Sequence, residues 1–268
     1  MTTRPFSYER DFARIGELEI ERYEPRNADG NWLRPFWEYA YYEWLPGEAY
    51  FQTFGGDGAL KREMLDYAES RMRGRSDDGT EFLKVWAPDA KPEFIASLAP
   101  RGYERLERED RPMYGLDLTG PLEYAVPVGF TLQSLADEND LAKINRCLWR
   151  GFNHEGEPDP DLSGRRRMQE APHSRPDLTM VVVAPGGEYV AFAGTWVEPS
   201  CEYAIVEPVA TDPDYRRMGL GRAAVLGGLA RCAAEGATIG YVGSSQPFYR
   251  AMGFRPVNNE ECWIRRFS

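Results

Sequence analysis

The stretch Val206-Glu-Pro-Val-Ala-Thr-Asp-Pro-Asp-Tyr-Arg-Arg-Met-Gly-Leu-Gly-Arg-Ala223 decides how this chain folds. It begins inside a strand, Cys201 to Thr211, that is rich in apolar and β-branched residues. Pro208 interrupts that strand, and a proline there implies an edge or a bulge because it cannot donate to the ladder. Apolar residues on both sides, Ile205-Val206 and Val209-Ala210, favour the bulge. A bulge splays a strand from its neighbour and leaves backbone groups for an extended ligand. Asp212 to Gly221 is turn-rich, and Leu220 to Glu235 reads as a helix stopped by Gly236. Arg216-Arg-Met-Gly219-Leu-Gly221 therefore opens a helix, where unpaired N–H groups and the positive dipole end attract phosphate. Glycines there permit close approach of a ligand to the backbone.

Downstream, Thr238-Ile-Gly-Tyr-Val-Gly243 is a strand, Pro247-Phe-Tyr-Arg-Ala-Met252 a short helix ending at Gly253, and Phe254 to Phe267 two short strands. Upstream, Phe130 to Leu135 is a strand, and Asp137 and Asp140 give a capping signal. Leu141, Ile144, Leu148, Trp149 and Phe152 then recur at helical spacing. A polar loop from Asn153 to Asp161 and the basic stretch Arg165-Arg-Arg-Met168 come next. Thr179–Ala184 and Val190–Trp196 flank Pro185-Gly-Gly-Glu188, a hairpin by its turn chemistry. The order is β-α-α-β-β-β-α-β-α-β-β, an α/β (α+β) class.

The N-terminal part repeats the second half of that order. Glu48–Thr53 and Phe82–Trp86 read as strands, Leu60–Met72 and Pro92–Ala99 as helices, and Arg101-Gly-Tyr-Glu104 parallels Met252-Gly-Phe-Arg255. About 40 residues separate Phe6 from Glu48 against about 70 between Phe130 and Cys201, a shortfall the size of a two-strand hairpin, and no Val/Ile-rich run is present there, so the chain reads as a duplication whose first copy has lost strands. The expected domains are 1–120, degenerate and shortened, and 121–268, with the boundary at Gly120-Pro121. The aromatic segment Asn31–Tyr50, with Trp32, Phe36, Trp37, Tyr39, Tyr41, Tyr42 and Trp44, carries too much apolar area to be left in water. The expectation is that the first copy serves as a scaffold.

Composition narrows the function classes. Of 268 residues, 42% are hydrophobic and 28% charged, which excludes a disordered or fibrous chain. No apolar run reaches the roughly 18 residues of a membrane span, and Met1–Phe12 has no apolar core of a signal peptide. Cys147, Cys201, Cys232 and Cys262 lack metal spacing and read as reduced thiols, and with only His154 and His173 no metal site is expected. A cytoplasmic location follows as an expectation. The net charge of −11 argues against nucleic acid as partner.

Val206–Ala223 resembles motif A of the GCN5-related N-acetyltransferase (GNAT) family, and Phe248-Tyr-Arg-Ala-Met-Gly-Phe254 resembles its motif B. The resemblance covers Phe130 to the C-terminus, in the family's order of strands and helices. It implies the GNAT fold, a mixed, mostly antiparallel sheet with flanking helices, in a tandem, duplicated arrangement. The N-terminal copy has Thr53-Phe-Gly-Gly-Asp-Gly58 in place of motif A, lacking the arginine and one glycine, and is degenerate. The implied ligand is acetyl-CoA or another acyl-CoA, and the implied activity is acyl transfer to a primary amine of a small molecule or protein. A non-catalytic acyl-CoA-binding or sensing module is the alternative. Pyrophosphate would rest on the N–H groups of Arg217, Met218, Gly219, Leu220, Gly221 and Arg222, running into Ala223, with Arg216 and Arg222 as further phosphate contacts. Val209, Ala210 and Thr211 would line the pantetheine arm, and the N–H of Val209 or Ala210 would polarise the thioester carbonyl. Phe248 and Ser245 join them, Ser245 in the segment where the family often has asparagine. Tyr249 is the implied acid and Glu207 the candidate base. Trp149, Phe152, Asn153, His154, Trp196 and Tyr203 are the candidate acceptor contacts. An NAD-binding reading fails, because the glycine run is not GxGxxG.

Overall fold

The structure, a computed structural model, describes residues 7–30, 32–35, 48–50, 58–171 and 174–267. Phe36, Trp37, Tyr39, Tyr41, Tyr42 and Trp44 of the aromatic segment, Thr53–Asp57 of the first copy's loop, and His173 lie outside these residues. Contacts divide the chain into two compact units. The first spans residues 1–114, 243–245 and 256–268, and the second 115–242 and 246–255.

The first unit holds α1 (Tyr8–Glu21), β1 (Glu48–Tyr50), α2 (Gly58–Arg71), β2 (Gly74–Arg75), β3 (Glu81–Pro88), α3 (Pro92–Leu98) and β4 (Glu104–Arg105). β5 (Arg111–Asp117) begins in it. β1 runs parallel to β3, and the last strand of the chain, β11 (Arg255–Phe267), runs antiparallel to β3 from Glu260 opposite Pro88 to Phe267 opposite Glu81. Leu65, Leu83, Val85, Phe94, Leu98 and Tyr103 form its core, with Trp263 and Phe267 packed against them.

The sequence reading gives Phe254–Phe267 two short strands within the second half. The structure has one strand, paired along β3 of the first unit. Two side-chain bonds account for the difference. Asn258-Asn259 has turn chemistry, but Asn258 donates to the Asn27 carbonyl (2.9 Å) and Asn259 to Asp110 (3.0 Å), so the pair stays extended.

The second unit is a sheet in the order β6-β7-β8-β9-β10, built from β6 (Thr131–Ser134), β7 (Met180–Val183), β8 (Tyr189–Glu198), β9 (Tyr203–Thr211) and β10 (Ile239–Val242). All of its pairs are antiparallel except β9 with β10, which is parallel. It is a mixed α/β fold with an open, mostly antiparallel sheet and flanking helices. α4 (Leu141–Gly151) starts where Asp140 Oδ1 accepts from the N–H groups of Ala142 and Lys143 at 2.9 and 3.0 Å. Its apolar stripe, Ile144, Cys147 and Leu148, packs on Val181, Tyr189, Phe192 and Ala210. α6 (Leu220–Ala234) is apolar almost all round because it is almost wholly buried. It meets Thr195 of β8, on the sheet face opposite Phe192. The basic stretch lies in α5 (Ser163–Gln169), where Arg165 donates to Asn145 of α4 (3.0 Å). Asn145 in turn donates to the Asp159 carbonyl at 2.9 Å, so α4 holds the polar loop that follows it.

Candidate active site

β9 lies between β8 and β10, and Pro208 falls past its last pair with β10, Ile205–Tyr241. Ala193 lies opposite Val209 and Thr195 opposite Val206, so three steps along β9 match two along β8. The extra residue is a bulge at Glu207-Pro208, whose peptide bond is cis. Gly194 faces the bulge. A Cβ on it would stand 2.3 Å from the Glu207 carbonyl oxygen, so only a residue without a side chain lets the strands meet there. Trp196, two residues on and on the same face, donates its indole N–H to the same oxygen at 3.0 Å. Pairing of β9 with β10 runs from Tyr203–Ile239 to Ile205–Tyr241 and ends before the bulge. Val209, half-buried, and Ala210, buried, follow it.

The loop after β9 is anchored by α4. Asp212, 1% exposed, accepts from Arg150 Nε at 2.5 Å and Nη2 at 3.0 Å, and Arg150 also reaches Asp214 at 2.6 Å. Burial pushes the Asp212 carboxyl up, but Arg150, the Asp214 N–H and Arg146 outweigh it and hold the group below the usual carboxylate range. Arg216 donates to the Thr211 and Gly151 carbonyls (3.2 and 2.8 Å) and to Asn153 Oδ1 (2.8 Å), which ties the loop to the C-terminal end of α4. Arg217, Met218 and Gly219 are exposed. Gly219 is the N-cap of α6 at φ +83°, and the direction its Cβ would take is open. Past it, Leu220, Gly221 and Arg222 begin the helix, so their N–H groups lack intrahelical partners. Gly221 makes room for the chain's own atoms, because a Cβ there would lie 2.6 Å from Thr211 Oγ1 and 3.3 Å from Phe248. Ala223 is buried below. Arg222 donates to the carbonyls of Glu123 (3.1 Å) and Ala251 (3.5 Å). It also lines a cavity of about 420 Å³ with Asp117, Thr119, Glu123, Leu226 and Met252, which contains neither Glu207 nor Tyr249.

α7 (Pro247–Met252) presents Tyr249 in its first turn. The ring is 7% exposed and sits edge-on to Phe248 and Phe254, with centroids 5.0 and 5.6 Å away. Burial, and after it the negative charge of Glu207, hold the phenol above its ordinary range, so it keeps its proton through neutral pH. The two residues that sequence motifs single out for proton transfer thus lie within electrostatic reach of one another.

The acceptor candidates divide into two places. On the α4 side, His154 stacks on Trp149 with ring centroids 4.5 Å apart, and Trp149 donates to the Gly156 carbonyl at 3.1 Å. Phe152 is 48% exposed beside them, and Asn153 is bound to Arg216. In the sheet, Trp196 is at the bulge, while Tyr203 lies fully buried at the far end of β9 against Tyr241. Ser245 is exposed and groups with the first unit. Gly194, Arg150 and Asp212 are site residues that sequence reading passed over. Only the register and the long-range ion pairs reveal them. Among the described residues, no group of three or more His, Cys, Asp or Glu side chains is placed to hold a metal, and no helix is long and apolar enough to cross a membrane.

Residues 139–254 match the model of the family described as the acetyltransferase (GNAT) family. Over these residues the chain is similar to that family, whose general chemistry is acyl transfer, and its fold is the GNAT fold. A GCN5-related N-acetyltransferase from Sphaerobacter thermophilus superposes with a TM-score of 0.61 at 13% identity, covering 78% of this chain and 67% of that one. A tandem GNAT protein from the clavulanic acid biosynthesis pathway superposes with a TM-score of 0.59 at 15% identity, covering 82% and 75%. A GCN5-related glucosamine N-acetyltransferase region of a fungal multi-domain β-N-acetylglucosaminidase gives a TM-score of 0.54 at 14% identity, covering 79% of this chain and 28% of that one. At such identities the likeness is one of fold. No curated protein matches the chain.

Proposed function

We propose that this protein is an N-acyltransferase that moves an acetyl group from acetyl-CoA to a primary amine, with one working site in residues 121–268. The observation that carries the reading is the bulge of β9 at Glu207-Pro208 followed by a loop that ends at the open, Gly219-capped start of α6. Residues 1–120 are then a shortened, degenerate copy that acts as scaffold. Four free thiols suit a reducing compartment such as the cytoplasm.

The residues present suit acetyl-CoA as donor. The open direction above Gly219 and the unpartnered N–H groups at the start of α6 suit a pyrophosphate. The stretch of β9 that has parted from β10, Val209 to Thr211, suits an extended arm. The N–H of Val209 or Ala210, following the bulge, would polarise the thioester carbonyl.

The proton account follows from the pair. The acceptor amine must attack neutral, so Glu207 takes its proton, directly or through one water. The C–N bond forms, the C–S bond breaks, and the departing thiolate takes the phenolic proton of Tyr249. The charge of Glu207 is part of what raises the phenol. The second proton, shed by the nitrogen as it becomes an amide, restores Tyr249, and return of the Glu207 proton to solvent closes the cycle.

Calorimetric titration with acetyl-CoA tests the donor assignment. One site per chain is expected. Two equal sites would overturn the reading of the N-terminal copy, and no binding would remove the whole assignment.

A further inference from the structure

Trp196 does more than fill space beside the sheet. β8 meets the bulge of β9 with two residues on one face, Gly194 and Trp196. Gly194 leaves room for the Glu207 carbonyl to turn toward β8, and the Trp196 indole N–H takes that oxygen at 3.0 Å. Trp196 is 8% exposed, so water does not compete well for the bond. A bulge places its extra residue outside the regular ladder, and a buried carbonyl there needs a donor from elsewhere.

We infer that Trp196 is a positioning residue for the transfer step: its indole N–H holds the Glu207 carbonyl in the bulge and thereby fixes the direction in which the Glu207 carboxylate leaves the backbone. The inference rests on the acyl-transfer reading above and adds to it the group that orients the base. The bond acts on the peptide of the very residue whose side chain would take the proton, so a change in that peptide carries the carboxylate with it. It does not touch the loop from Asp212 to Gly219, which Arg150 of α4 and the loop's own Arg216 tie to α4. Loss of the indole N–H should therefore fall on turnover and spare the donor. Displacement of a reacting group by about 1 Å costs on the order of 10²-fold, and a rotated peptide gives a part of that.

Two variants test this in the full chain. Trp196→Phe removes the N–H together with one ring. Replacement of Trp196 by 3-benzothienylalanine keeps the double ring and puts sulfur in place of the N–H. Both should lower kcat by roughly 10-fold or more with KM for acetyl-CoA within about twofold, and the benzothienyl variant, which keeps the packing but leaves the carbonyl without its donor, should melt only a few degrees below wild type. Wild-type kcat in the benzothienyl variant overturns the inference, whatever Trp196→Phe does, since it leaves Trp196 as a packing residue. An equal rise in KM with unchanged kcat overturns it as well. A wild-type chain that releases no thiol from acetyl-CoA with any amine overturns the acyl-transfer reading and the inference together, which separates that failure from the first two.

Discussion

Gly194→Ala adds a single methyl group where β8 meets the bulge. The new Cβ would stand 2.3 Å from the Glu207 carbonyl oxygen, 2.9 Å from its carbon and 3.0 Å from Pro208 Cδ. A carbon and a carbonyl oxygen ordinarily approach no closer than about 3.3 Å, so the strands must part by about 1 Å. All three atoms belong to backbone or to a proline ring, so no flexible side chain can swing away. Overpacking of this kind costs about 1–3 kcal/mol. At about 2–4 °C per kcal/mol for a chain of this size, the melting temperature should fall by roughly 2–12 °C. The same displacement moves Glu207, and a shift of about 1 Å in a reacting group costs on the order of 10²-fold in turnover. Thermal unfolding and release of CoA thiol, measured on the same preparation, read the two effects. Gly164→Ala is the control, because Gly164 has ordinary φ and open space around it, and it should melt no lower than wild type. A Gly194→Ala protein with wild-type stability and turnover would mean that β8 does not press on the Glu207 carbonyl, and the geometry of the bulge argued here would be wrong.

Tyr249→Phe should lower kcat by about 10²-fold or more while acetyl-CoA binding stays within twofold, as expected for losing a general acid. Unchanged turnover would leave Tyr249 as a packing residue between Phe248 and Phe254. Gly219 sits at φ +83°, so both Gly219→Ala and Gly219→Glu should lose about 1–2 kcal/mol of stability to backbone strain. Only Gly219→Glu should lose acetyl-CoA affinity by more than 10-fold, because its charge points into the space assigned to pyrophosphate. Equal affinities in the two variants would remove the phosphate from that loop.

Much of this site was legible because proline and glycine punctuate it. Pro208 marked the bulge, where β9 runs one residue out of step with β8. Gly219, Gly236 and Gly253 marked the ends of α6 and α7, where the backbone takes positive φ. What resisted reading is long-range. Whether an arginine meets a ligand or the chain's own carbonyls is not written in its neighbours. Arg216 reaches back to Gly151 and Asn153, and Arg222 to Glu123 and Ala251. Nothing around Gly194 distinguishes it from an ordinary strand glycine until β9 is laid beside it one residue out of step. β11 was misread for the same reason: its partner, β3, precedes it by more than half the chain.

The most direct measurement of the central claim is release of CoA thiol from acetyl-CoA across a panel of amines, run with the wild-type chain and with Tyr249→Phe. Amines of small molecules, amino-acid derivatives, and peptides bearing a free N-terminus or lysine make up the panel, with mass spectrometry on the acceptor. The account predicts that at least one amine gains a single acetyl group, that thiol release requires it, and that Tyr249→Phe slows the reaction by about 10²-fold. Saturable binding of acetyl-CoA with no amine-dependent thiol release from any member of the panel would contradict it, and would make the protein an acyl-CoA-binding module in a transferase fold.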